Sequence, residues 1–144
     1  MEKILVAMDS AWTHFLAAVH ALGLAKRIKA KVSFLLIFPS PADGSARPAE
    51  PANATTLKKR IDALVEEARA DGVTIDYYLA YGDYESELMN FIQENRVTLL
   101  VIESGAASGR APEASREFID KLRHRINCRI EIVNEKQESQ TRKD

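Results

Sequence analysis

The residues whose types and spacing best suit chemistry lie between Val101 and Glu117, which read VIESGAASGRAPEASRE. A short apolar run enters a loop carrying Gly105, Gly109 and Arg110, and a helix-like segment with Arg116 follows. Strand, glycine-containing loop and helix start are the parts with which backbone amides and a helix dipole hold a phosphate. The two arginines could clamp the same anion, because a guanidinium matches phosphate oxygens. Both features have plainer alternatives. The glycines can be a flexible connection, and the arginines can pair locally with Glu113, Glu117 or Asp120.

Asp9, Ser10 and His14 suggest a hydrolase triad, but Ser10 sits in no nucleophile-elbow motif, and a helix would carry His14 away from it. His14, His20 and His124 lack metal-ligand spacing. Cys128 is the one cysteine, which excludes an internal disulfide and a cysteine-cluster metal site. Between Asn127 and Arg129 and next to an apolar strand, it reads as a small packing residue rather than a reactive thiol. Tyr77, Tyr78, Tyr81 and Tyr84 cluster without interleaved basic residues, which favours edge-strand packing over base stacking. No catalytic residue, metal or cofactor is expected from these patterns, and the chain is not read as an enzyme.

The elements that must position these residues follow from the apolar periodicity. Lys3–Met8, Lys31–Phe38 and Thr98–Ile102 are continuous apolar runs, whereas Val73–Tyr81 and Arg129–Val133 alternate. Between them lie four helical patterns. The first has Phe15, Val19, Leu22 and Ile28 at three- and four-residue steps; the second has Leu57, Ile61, Leu64, Val65 and Ala68, ending near Asp71-Gly72. The third has Leu88, Phe91 and Ile92 after an N-cap at Asp83; the fourth has Phe118, Ile119, Leu122 and Ile126, with Ser115 as its cap. Residues 39–56 hold four of the five prolines and read as a long surface loop.

Five strands alternating with four helices imply an α/β fold, a single doubly wound domain over residues 1–134, with a charged disordered tail at 135–144. Strands buried on both faces are continuously apolar and edge strands show polar residues, so the third and fifth strands are placed at the edges of a parallel sheet in the order 3-2-1-4-5. Ligands of such sheets bind where the winding reverses, at the carboxyl ends of the strands. Here that is the crevice between strands one and four, with Asp9 and Ser10 on one side and the glycine-containing loop on the other.

With these elements in place, the chain resembles the universal stress protein family over roughly Lys3 to Val133. The likeness rests on ILVAMDSAWTHFLAAVHALGLAKRIKAKVSFLLIF at the start, YGDYESELMNFIQENRVTLLVIES in the middle and LRHRINCRIEIV at the end. Many members of that family bind ATP. Their signature after the fourth strand is Gly, two residues, Gly, nine residues, then Gly and Ser or Thr. Laid on this chain without gaps, it falls on Glu103, Ala106, Arg116 and Glu117, none of which matches. Two carboxylates near phosphate oxygens in a partly buried site cost several kcal/mol at an effective dielectric of about 20. The resemblance also places Asp9 beside a nucleotide, although Asp9 or Ser10 could equally cap the first helix.

Two functional expectations follow. One is a small regulatory or adaptor protein of the universal stress type that does not bind ATP and acts through protein contacts. The other is a nucleotide- or anion-binding module using Asp9, Ser10, Gly105, Gly109, Arg110 and Arg116. The first reading includes a homodimer built on the fifth strand, through Arg129, Ile130, Glu131, Ile132 and Val133, with Arg129 and Glu131 facing opposite charges across a two-fold axis. The resemblance implies the same strand. A net charge of −1 argues against a polyanion such as nucleic acid as the main partner. The absence of a signal-peptide pattern and of a bilayer-length apolar run gives a cytoplasmic protein without membrane insertion as the expectation.

Overall fold

The computed structural model describes residues 2–10, 15–39, 54–103 and 112–133, with only the main chain for 112–116. Five parallel strands, β1 (Lys3–Asp9), β2 (Lys31–Phe38), β3 (Thr74–Tyr81), β4 (Leu99–Glu103) and β5 (Arg129–Val133), form one sheet in the order β3-β2-β1-β4-β5. The helices α1 (Leu16–Ile28), α2 (Ala54–Ala70), α3 (Tyr84–Asn95) and α4 (Pro112–Arg125) alternate with them. The sequence expectation for the sheet order is met. Ile4 lies between Val32 and Leu99, and Val6 between Phe34 and Val101.

The two faces of the sheet make two cores. Ile4, Val6, Met8, Phe34 and Val101 pack under α1 and α2, while Leu5, Ala7, Leu35, Leu100 and Ile102 pack under α3 and α4. This is why Ile4–Met8 of β1 and Leu99–Ile102 of β4 are apolar at every position: both parities are buried. Each fully buried large aliphatic side chain contributes about 1.5–3 kcal/mol of transfer free energy. At the β3 edge, Tyr78 packs on Phe91 at 5.1 Å between ring centroids and Tyr81 stacks on Phe38 at 5.3 Å, which matches the packing reading of the tyrosines. Asp83 caps α3 as expected, accepting from the Ser86 amide at 3.0 Å. Gly72 turns the chain out of α2 with a φ of +85°, a conformation that costs a side-chain-bearing residue more.

Three expectations need correction. The inner face of α1 is an alanine ridge, Ala17, Ala18, Ala21 and Ala25 with Leu22, whereas Val19 is 55% and Ile28 46% exposed. Both sets repeat with helical period; the small set wins because it lets the helix lie close on β1, β2 and β4. Ser115 is not a cap, because α4 already starts at Pro112, a residue whose fixed φ and missing N–H suit a first helical position. Strand β4 runs one residue further than the apolar run, so that Glu103 pairs in register with Val133. Smaller shifts occur at α2, which starts at Ala54 rather than after Thr56. The expected loop at 40–53 and tail at 135–144 lie outside the described residues.

Candidate functional site

The crevice at the carboxyl ends of β1 and β4 is built from both sides of the winding reversal. On one side β1 ends at Asp9, and the Ser10 amide donates to the Ile37 carbonyl at 2.9 Å, which pins the exit of β1 to β2. Ser10 is buried and Asp9 half-exposed. Further on, Phe15 occupies the N-cap position of α1 in the left-handed region, with φ 60° and ψ 15°. It is a bulky residue in a sparsely populated conformation, which persists only where the surroundings hold it. Its ring is buried, and the Arg60 guanidinium lies 5.8 Å from the ring centroid.

On the other side stands Glu103. Ladder pairing carries β4 to this residue, and alternation along the strand puts it on the α1 face with Leu99 and Val101. Its Oε1 accepts a hydrogen bond from the Leu16 amide at 2.7 Å, across 87 residues of sequence. Only 7% of Glu103 is exposed. The first turn of α1 has no acidic residue, and Phe15 gives no side-chain cap. A carboxylate from the neighbouring strand thus supplies the acceptor and the negative charge that the helix start would otherwise lack. Charge-assisted bonds of this kind are the stronger ones, worth about 1.5–3 kcal/mol.

This arrangement corrects one expectation and sharpens another. Neither Asp9 nor Ser10 is the N-cap of α1; residues 11–14 separate them from Phe15, which holds that position. The carboxylate expected to oppose phosphate at Glu103 is present and bonded to a helix-start amide. An anion entering at the start of α1 would meet this carboxylate already in place, and the loop that the resemblance assigns to phosphate, residues 104–111, lies outside the described residues. Arg116 and Glu117 lie in the second turn of α4, past the first-turn amides, and Glu117 points to solvent. The side chain of Arg116, and Gly105, Gly109, Arg110 and His14 altogether, lie outside the described residues. Sequence reasoning flagged Glu103 as misplaced for a phosphate but missed its capping role. The signal available was the lack of any acid in the first turn of the first helix.

The fifth strand forms a second candidate site. Ile130 and Ile132 are half-buried against the α3/α4 core, and Val133 is buried. Arg129 donates to Glu2 Oε1 at 2.6 Å, and Glu131 meets His20 Nε2 at 2.7 Å. The Arg129 guanidinium, followed by Thr98, holds the Glu2 carboxyl below its ordinary value. Both charges of the strand therefore have partners inside the chain. Burial pushes the Cys128 thiol up, in keeping with a packing role. Among the described residues, no group of three His, Cys, Asp or Glu side chains could hold a metal ion, and no helix is long and apolar enough to cross a membrane.

Comparison with known proteins agrees with this fold. A universal stress protein family structure from Burkholderia pseudomallei matches with a TM-score of 0.64 at 19% identity, covering 92% of this chain and 95% of that one. The universal stress protein from Archaeoglobus fulgidus in complex with dAMP matches with a TM-score of 0.62 at 16% identity, covering 92% and 97%. A universal stress protein family protein from Arabidopsis thaliana with AMP bound matches with a TM-score of 0.58 at 14% identity, covering 93% and 91%. At these identities the likeness is one of fold. No match was found among curated proteins. The sequence profile described as the universal stress protein family matches residues 1–133, nearly the whole length, and the chain belongs to that family.

Proposed function

We propose that this chain is a small cytoplasmic regulatory protein of the universal stress type that holds no ATP, performs no catalysis and acts through contacts with other proteins as a homodimer. The observation that supports the first part is Glu103, which stands at the first glycine position of the family's ATP signature as a carboxylate, buried and bonded to the Leu16 amide at 2.7 Å. The dimer is supported by β5. It is a sheet edge whose charged side chains are already engaged within the chain, Arg129 with Glu2 and Glu131 with His20. Backbone bonds and the half-buried Ile130 and Ile132 would form the contact.

A second reading, a nucleotide- or anion-binding module, is favoured by the relatives with dAMP and AMP bound. Thermal melting with ATP, ADP, AMP and cyclic AMP at millimolar concentration separates the two. A specific binder raises its melting temperature once ligand exceeds the dissociation constant, and the first reading expects no shift with any of them.

A further inference from the structure

We propose that a small cavity at the amino-terminal ends of β1 and β2, between Lys3, Lys31 and Ser33 on the sheet and the last turn of α3, binds a short-chain carboxylate such as acetate or propionate. The site lies at the opposite end of the strands from Asp9 and Glu103, and it is independent of how that crevice treats ATP.

Charge, polarity, apolar lining and size all point to that ligand. Lys3 and Lys31 pair in register on adjacent strands, so two ammonium-bearing side chains leave the same face of the sheet as direct neighbours. Like charges so placed repel. The chain sets against them one carboxylate, Asp76 at 3.5 Å from Lys31 Nζ, and one carbonyl, that of Asn95 at 3.2 Å from Lys3 Nζ. Both lysines line the cavity and none of its lining residues is acidic, so a surplus of positive charge faces it. Ser33 interrupts the otherwise apolar stretch of β2 from Val32 to Phe38 and is half-buried at the cavity, where its hydroxyl can donate to an oxygen held between the ammoniums. Tyr78 and Phe91, packed on each other at 5.1 Å between ring centroids, supply an apolar wall. The cavity volume is about 40 Å³, room for about three water molecules and far below the roughly 300–1,000 Å³ of sites for drug-sized ligands. That admits a carboxylate with one or two carbons and excludes a nucleotide. The carboxylate sets its charge between the lysines and its carbon tail against the rings.

The test titrates the full chain with sodium acetate and sodium propionate at constant ionic strength and follows the backbone amide spectrum. Saturable shifts are expected at Ser33 and Tyr78, with dissociation constants of about 1–10 mM. Acetamide, which has the shape without the charge, should give none. Nitrate, which has the charge without the carbon tail, should bind about threefold or more weakly than propionate. N-acetyldiglycine, whose carboxylate ends a peptide chain, should bind more weakly than acetate, because the cavity has no room for the chain. Lys3→Gln and Lys31→Gln should each weaken acetate about fivefold, while Lys59→Gln, which removes one exposed charge of α2, should leave it unchanged. Ser33→Leu fills the cavity and should abolish the response. Ser33→Ala keeps the room and should weaken acetate about threefold, so it decides the matter if the leucine variant does not fold. Silence at Ser33 in wild type at acetate concentrations tenfold above the expected range, equal binding of acetamide, or a loss in Lys59→Gln that matches Lys31→Gln overturns the site. Tighter binding of nitrate than of propionate, or of the peptide than of acetate, overturns the ligand class.

Discussion

His20 of α1 and Glu131 of β5 meet at 2.7 Å, 111 positions apart in the sequence. The contact draws the charge of an edge strand inward onto a helix, as the Glu2 contact does for Arg129 at the other end of the strand. Both pairs are largely solvent-accessible, so each adds little to stability. Their effect on what the edge can meet is larger than their effect on stability. With both charged side chains engaged within the chain, Ile130 and Ile132 lie half-buried on the opposite face of the strand.

For the dimer, light scattering at micromolar protein should give about twice the 16.1 kDa chain mass. Ile130→Pro removes an amide from the β5 edge and should return the monomer mass. A monomer in the unmodified protein, or a dimer that survives the proline, moves the interface elsewhere.

Loss of the carboxylate at Glu103 should destabilise the fold, since it leaves the part-buried Leu16 amide without this acceptor. Urea unfolding of Glu103→Ala should show a loss of about 1.5–3 kcal/mol, and amide hydrogen exchange at Leu16 should speed up in step with it.

The alanine ridge of α1 makes a contrasting pair of predictions. Val19→Ala, at an exposed position, should change stability by less than about 0.5 kcal/mol. Ala21→Leu, at a position with no exposed surface, should cost about 1–3 kcal/mol through overpacking against the sheet. Denaturant midpoints of the two variants check both; equal values would mean that α1 presents a different face.

Acid should weaken the Glu2–Arg129 tie. The folded-state pKa of Glu2 is depressed below 4.5, so its contribution is present above that value and is lost as pH falls through the lower folded pKa. The acid limb of a stability–pH curve should therefore flatten slightly in Glu2→Gln. If the mutant and the unmodified protein have parallel curves below pH 4.5, the tie is not formed in solution.

Cys128 shows the opposite sign. Burial raises the folded thiol pKa above 9.0, so the folded state keeps a proton that the unfolded state gives up, and stability falls as pH climbs past 9.0. Alkylation by iodoacetamide at pH 8, followed by mass spectrometry, should be slow in the native protein and fast in urea.

The sheet order was legible because Ile4–Met8 of β1 and Leu99–Ile102 of β4 are apolar at every position and β3 and β5 alternate; burial on two faces leaves that mark directly in composition. The N-cap at Asp83 was legible because its cap bond is local, reaching only to Ser86. The inner face of α1 was misread because Val19 and Ala18 both fit the helical period, and hydrophobicity alone favours the larger residue. Only the distance between helix and sheet decides for alanine. The capping of α1 by Glu103 was hidden for a related reason: a bond spanning 87 residues has no local sequence pattern, and it depends on β4 extending one residue past its apolar run.

That long-range cap has a consequence for how the chain is made. When β1, α1 and β2 have left the ribosome, the start of α1 still lacks its acceptor, and one side of β1 still lacks β4. Both arrive together, at residues 99–103, after about two thirds of the chain has been synthesised. A fragment ending before β4 should hold α1 with a frayed first turn and expose a long apolar strand edge to neighbouring nascent chains. The segment most in need of a chaperone during synthesis is therefore the amino-terminal half, and the residue that ends that need is Glu103.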